Sequence, residues 1–431
     1  MKTISIIRKS GFPMWAALWV MVSLLTGAVT AQGLDRRRDQ FGKEFSYYLY
    51  PIPAEIPGIG KAFGWGASIL NMGGTDADFT AFKLTGDFSA SGYTLLDLHL
   101  IPRHLIVDFG VYDYNVYAQT FDRGRDSSTG DYIFANVDGR YRGGQLTLSA
   151  AERMFELYGR LFQGTTHVDK LLDKDLKEFK NQDQQDYQVK LVTYGAIWDY
   201  TDDRLDPRKG FRVEAQQKYP SLDQPLLSRY YINDANITGY IPVGDISLVA
   251  LNYFQSDAVV TSKGETDYGV LQARAGFGCA ALPPSAQPPC LAAEAKRLNE
   301  IIAGNTYGNA TPLGGTQRLR SYPNGRWRAG HAVFYGGEFR WNLTDEYTPF
   351  DWLVAKGVRT GLQVAFFAEQ GNVADHPGDL WGHMKESYGT GFRLVLSGVI
   401  IRADWATGNE GSQFQLFIDY PWRLYSVDNS T

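Results

Sequence analysis

Residues 332–343 read AVFYGGEFRWNL, and their alternation decides the fold. Val333, Tyr335, Phe339, Trp341 and Leu343 fall on one face of an extended strand, with Glu338, Arg340 and Asn342 on the other, because successive strand side chains point to opposite sides. Four segments downstream repeat the pattern. In VRTGLQVAFFAE (358–369), Val358, Leu362, Val364 and Phe366 oppose Arg359, Gln363 and Glu369. In YGTGFRLVL (388–396), Tyr388, Phe392, Leu394 and Leu396 oppose Gly389, Gly391 and Arg393. In VIIRADWA (399–406), Val399, Ile401, Ala403 and Trp405 oppose Arg402 and Asp404. In QFQLFIDYPW (413–422), Phe414, Leu416, Ile418, Tyr420 and Trp422 oppose Gln413, Gln415 and Asp419.

Each segment has about the length of a tilted strand that crosses a bilayer, ~9–11 residues. A soluble sandwich also alternates. Here the polar face carries charge along its middle and the apolar face is aromatic at its ends, as on a barrel with a wet lumen and aromatic girdles. Such a sheet must close, because an open edge would leave backbone groups unsatisfied in hydrocarbon. The pattern predicts an all-β fold, a transmembrane antiparallel β-barrel.

Upstream, strands are expected over 60–72, 78–88, 93–101, 104–118, 140–150, 154–162, 188–200, 211–219, 230–241 and 246–255. With the last five they make fifteen, and the Asp131–Val137 region supplies another. Single-chain bacterial barrels have even strand numbers, which gives sixteen, with fourteen as the alternative. The charged stretch Thr166–Gln188 places Leu172, Leu176 and Phe179 at helical spacing, a short amphipathic helix in an outer loop or a solvated face.

The chain begins with Lys2, Arg8 and Lys9, an apolar run to Val29, and small residues before Ala31. Residues 1–31 therefore read as a secretory signal peptide, so the protein is exported, and together with the barrel pattern this places it in a bacterial outer membrane. Residues 32–57 read as a short amino-terminal periplasmic segment, 58–422 as the barrel and 423–431 as a carboxy-terminal extension. Net charge is -5, which argues against a nucleic-acid partner. Aromatic residues make up 14% of the chain, with 26 tyrosines, as girdles require.

Residues 256–330 are too long for a turn and read as one large outer loop, with a helical piece near Ala292–Ile302. Cys279 and Cys290, in CAALPPSAQPPC, are expected to form a loop-closing disulfide, because an exported chain crosses an oxidising compartment. The loop ends in LGGTQRLRSYPNGRWRAGH (313–331), with arginines at 318, 320, 326 and 328.

These motifs resemble the BamA/TamA family of bacterial outer-membrane surface antigens. TDDRLDPRKGF (201–211) resembles its periplasmic turn, through Asp206, Pro207 and Gly210. The stretch with Gly314, Gly315, Leu319, Arg320, Ser321, Tyr322, Gly325 and Arg326 resembles the signature of its sixth outer loop, with Ser321 where glycine is usual. Glu338 and the FFAEQG element, carrying Phe366, Phe367, Glu369 and Gly371, resemble its wall motifs. The resemblance implies a sixteen-stranded barrel whose large loop folds into the lumen, where Arg320 meets Glu338 and Glu369. It implies assistance in inserting or translocating proteins or lipids, with outer-membrane lipid, client proteins or lipids, and periplasmic factors as partners. Family members carry polypeptide-transport-associated domains before the barrel. The interval after Ala31 is too short for one, so a separately encoded periplasmic partner is expected.

No enzyme and no cofactor is expected. The histidines at 99, 104, 167, 331, 376 and 383 are scattered, and neither a Gly-x-Ser-x-Gly elbow nor a phosphate loop occurs. The remaining alternatives are a structural accessory barrel and a lumen-sited lipid-modifying enzyme.

Overall fold

Sixteen strands close into one antiparallel barrel in the computed structural model, which describes residues 45–172, 186–222, 226–397 and 399–424. The first four are β1 (Ser46–Ile56), β2 (Gly60–Leu70), β3 (Asp78–Gly86) and β4 (Ser89–Ile101). The tall wall follows, with β5 (Leu105–Phe121), β6 (Tyr132–Ala150), β7 (Phe155–Leu172) and β8 (Asp186–Thr201). Next come β9 (Gly210–Leu222), β10 (Arg229–Val243), β11 (Ser247–Ser262) and β12 (His331–Trp352). The last are β13 (Ala355–Ala374), β14 (Lys385–Leu396), β15 (Val399–Gly408) and β16 (Gly411–Ile418). Every strand pairs with its sequence neighbour, and β16 returns to β1.

The outer face carries large apolar side chains. Trp65, Leu148, Leu157, Trp198, Trp341, Phe366 and Trp405 are each at least 45% exposed, which in water would be a severe cost and in lipid is a gain. No helix among the described residues is long and apolar enough to cross a membrane. The lumen face is polar, with Glu338, Arg340, Gln363, Glu369, Arg393, Arg402 and Asp404 all buried.

Several boundaries differ from the sequence reading; β7, expected to end at 162, runs to Leu172 and so takes the start of the 166–188 stretch into the wall, and the strand read at 332–343 spans His331–Trp352. The sixteenth strand is β1, inside the 32–57 segment assigned to the periplasm, so the barrel begins before residue 58. Pro51 and Pro53 disguised it, because proline demotes a strand in any sheet interior. The Asp131–Val137 region adds no strand of its own and instead lengthens β6. β11 runs to Ser262, so the large loop is 263–330 rather than 256–330. The wall ends at Ile418, not at Trp422.

That last difference has a local cause. Asp419 and Trp422 have φ of 89° and 73°, and these left-handed residues turn the chain inward. Tyr420, Trp422 and Leu424 are consequently buried inside the barrel rather than facing lipid. Val358 and Arg359 are also exchanged relative to expectation, since Val358 is buried and Arg359 exposed. Leu172 lies in β7. Leu176 and Phe179, the signal peptide and residues 425–431 lie outside the described residues.

The closure between β1 and β16 is sparse. Among the described residues its ladder is one pair, Glu55 with Leu416. Nearer the other end of β1, Tyr47 and Tyr48 pair with Lys356 and Ala355 of β13, and the Leu49 N–H donates to Val354 O at 3.0 Å. The long β12–β13 hairpin thus reaches past the short strands β14–β16 to touch β1.

Candidate functional site: the loop tip inside the barrel

The 263–330 loop contains two helices, α1 (Tyr268–Ala275) and α2 (Gln287–Tyr307), and then descends into the lumen. A disulfide joins Cys279, in the segment between the helices, to Cys290 in the first turn of α2. Glu294 lies beside them, accepting from Gln272 Nε2 at 2.7 Å and from the Phe277 N–H at 2.5 Å. At the loop end of the barrel, Lys296 reaches Asp122 and Asp131, and Glu300 accepts from the Arg123 N–H at 2.8 Å. These contacts tie α2 to the β5–β6 connection.

The descending segment is held flat by its own backbone. Leu313 and Trp327 exchange two hydrogen bonds at 2.9 Å. Gly314 and Gly315 have φ of 104° and 101°, and a Cβ on Gly314 would sit 2.4 Å from Pro323 O. The tip itself turns at Leu319, with φ of 53°, rather than at Ser321. A serine at position 321 is therefore accommodated. Its N–H donates to Ser387 Oγ at 2.9 Å, and it packs against Gly408, where a Cβ would come within 2.4 Å of Ser321 Oγ. Tyr322 is buried against Trp327, edge to face at 5.5 Å, and Gly325, with φ of 63°, closes the turn before Arg326.

Arg320 is fully buried and meets three acids. Its backbone N–H and Nε donate to Glu369 at 2.9 Å each, and Nη1 donates to Glu338 at 3.0 Å and to Asp404 at 2.9 Å. A planar fork of fixed donors suits such a set. Its guanidinium stacks 3.3 Å from the Phe367 ring centroid, a contact that takes no acceptor. Further arginines balance the acids. Arg393 forks onto Glu338 at 2.6 and 2.7 Å, Arg340 donates to Glu338 at 2.7 Å, and Arg402 donates to Asp404 at 2.7 Å. Four arginines thus share three carboxylates.

The turned-in tail joins this network. Trp422 Nε1 donates to Glu369 at 3.1 Å, and Asn236 Nδ2 donates to the Trp422 carbonyl at 2.9 Å. Tyr420 OH donates to Asp206 at 2.7 Å in the β8–β9 turn. In that turn Pro207 is buried, and Gly210 has φ of 103° with no room for a Cβ beside Tyr200 O.

The structure therefore brings together Arg320, Glu338, Glu369 and Phe367. It places Phe366 on the opposite, lipid-facing side, 49% exposed. Gly371 gives way to the loop, since a Cβ there would lie 2.9 Å from Leu313 Cδ1. Sequence reasoning gave Arg326 no partner, yet it forks onto Glu410 of the β15–β16 turn at 2.7 and 2.9 Å. Asp404, Arg393 and Arg402 were legible as lumen residues, but nothing in the sequence pointed them at Arg320. Trp422 had the signal for the wrong face.

The histidines stay apart. His99, His167 and His331 each pair locally with an aspartate, and His104 contacts Ser149 O at 3.1 Å. No cluster of three or more metal-ligating side chains occurs among the described residues.

No protein-family model and no curated protein sequence matches this chain. Among solved structures, BamA from Haemophilus ducreyi lacking POTRA domains 1–3 aligns over 87% of this chain and 70% of its own, at 13% identity and a TM-score of 0.46. CdiB from Acinetobacter baumannii aligns over 87% and 60%, at 11% identity and a TM-score of 0.48. CdiB from Escherichia coli aligns over 87% and 62%, at 7% identity and a TM-score of 0.49. The chain thus spans less than two thirds of either CdiB chain.

Proposed function

We propose that this chain is an outer-membrane barrel of the surface-antigen and assembly superfamily, and that it assists the insertion or translocation of proteins or lipids together with a separately encoded periplasmic partner. The observation that carries this reading is Arg320. The tip of a long loop is anchored through one buried arginine to acids on β12, β13 and β15, beside a seam with, among the described residues, a single β1–β16 ladder pair. In this reading Arg320, Glu338 and Glu369 lock the loop, and the loop sets the state of the wall next to it. The test is deletion of the gene, with comparison of outer-membrane protein and lipid profiles against the parent strain. Altered abundance of either class is expected, and unchanged profiles would overturn the proposal.

A second reading is a structural accessory barrel. It is favoured by the loop tip and tail that together occupy the lumen beside β12–β15. Copurification of a periplasmic partner with unchanged deletion profiles would select it.

A further inference from the structure

The single ladder pair between β1 and β16 has a chemical origin in β1. In an antiparallel ladder alternate residues direct their N–H and C=O to opposite neighbours. Two observations fix which residues of β1 face the seam. Leu49 donates its N–H to Val354 O on the seam side. On the other side, Lys61 of β2 directs its carbonyl away from β1, to the Asp87 N–H, so the pairs Ile56–Gly60, Ala54–Ala62 and Ile52–Gly64 are the hydrogen-bonded ones between β1 and β2. The β1–β2 register is unbroken over Ser46–Ile56. The seam-facing residues are therefore 47, 49, 51, 53 and 55.

Two of these are Pro51 and Pro53, and the next residue of the same parity is Pro57. Proline has no N–H. Between residues 50 and 58, Glu55 alone offers a donor to the seam, and Glu55 is where the one ladder pair with β16 forms. The Pro57 carbonyl is taken by the Asn324 N–H of the loop at 2.8 Å. Extending the Glu55–Leu416 register brings Ile418 opposite Pro53 and Tyr420 opposite Pro51. There the chain turns inward, at Asp419. The strand leaves the wall where its partner has nothing to donate.

Apolar side chains close the seam instead. Tyr50 and Ile52 of β1 pack in one cluster with Val358, Leu396, Val399 and Ile418 from the ends of β13–β16. The ring of Tyr50 lies over Gly66, where a Cβ would come within 2.4 Å of it.

We propose that this seam takes a lipid acyl chain from the surrounding bilayer rather than a β-strand of another polypeptide. The inference rests on the assembly or translocation reading above and names the class of its client. A strand added along β1 would find its carbonyls opposite Pro51 and Pro53 without donors, and unsatisfied backbone groups in hydrocarbon are costly. An acyl chain asks for no hydrogen bond and matches the apolar cluster. Exchange between side-chain-packed strands also breaks no ladder there.

The experiment uses the full barrel in bilayer nanodiscs with the photoreactive residue p-benzoylphenylalanine in place of Ile52, on the lumen side of the seam. The probes are an alkyne-tagged phosphatidylethanolamine and a tagged, amphipathic ten-residue strand peptide. Phe109, on the outer wall, serves as the position that lipid must label, and Asn252, in the lumen away from the seam, as the one it must not. Heat-modifiable migration confirms that each variant is folded. The expected result is lipid labelling at Ile52 several-fold above Asn252, no peptide labelling, and a fall in lipid labelling in the Pro51→Ala/Pro53→Ala variant, which restores two donors. Peptide labelling without lipid labelling would overturn the assignment while leaving the assembly reading in place. No labelling at Ile52 by either probe would show a sealed seam and overturn it also, whereas the deletion profiles test the broader reading separately.

Discussion

Glu369 holds Arg320 twice, accepting from its backbone N–H on one oxygen and from its Nε on the other, both at 2.9 Å. The loop tip is thereby fixed in position and in orientation by one wall residue. Replacing Arg320 by alanine leaves Glu338, Glu369 and Asp404 short of a fully buried partner. Breaking a buried pair by removing one member costs on the order of 3–5 kcal/mol. Arg320→Ala is expected to make the 263–330 loop protease-sensitive and to lower the temperature of heat-modifiable migration. Arg320→Lys should recover only part, because an ammonium cannot fork between carboxylates. Unchanged proteolysis and migration in Arg320→Ala would remove the lock.

Arg326 supplies a weaker second anchor. Glu410 is 18% exposed at its side chain, while Arg326 is fully buried. Glu410→Gln keeps an acceptor for the buried guanidinium but removes its counter-charge, and is expected to raise hydrogen exchange around Pro323–Trp327 without changing migration.

The Cys279–Cys290 link closes a short span that ends in the first turn of α2, with a sequence separation of 11. Loops of this size are stabilised by about 2–3 kcal/mol through restriction of the open state. Reduction is expected to raise exchange in α1 and α2 while the strands stay protected. Non-reducing mass spectrometry of protein from membranes should find the two cysteines joined.

Glu300 makes the docking of α2 sensitive to pH. Burial pushes its carboxyl above the ordinary value, with Asp122 adding to the rise and the Arg123 N–H and Arg328 opposing it. Lys296 and Asp131 complete the charged surroundings. A raised acid pKa means that the docked state binds a proton more tightly than the undocked one. Docking is therefore favoured below the ordinary glutamate value of ~4.3 and weakens as pH rises through the raised value. Hydrogen exchange in α2 is expected to increase across that window and to become flat in Glu300→Gln.

The barrel was legible because lipid on one side and polar lumen on the other impose a strict period of two, seen in residues such as Phe339, Arg340 and Trp341. Strand β1 was not, since Pro51 and Pro53 speak against any interior strand and are tolerated only at a seam. The tail was misread for a related reason. Tyr420 and Trp422 keep the alternation of β16, and only the backbone turn at Asp419 removes them from the wall. For the site, alternation placed Glu338, Glu369, Arg393 and Asp404 on the lumen side. It could not give their height along neighbouring strands, which depends on register, so the grouping of three acids around one arginine required the folded chain.

Because Trp422 and Arg320 share Glu369, the last described turn of the chain and the loop some hundred residues earlier complete each other. Neither contact set is whole until β16 has been laid against β15. Until the last hairpin is in place the loop tip lacks the Trp422 indole beside Glu369, the Asp404 carboxylate on Arg320, the Glu410 partner of Arg326 and the Gln415 donor to the Arg320 carbonyl, so the carboxy-terminal hairpin and the loop are finished together or not at all.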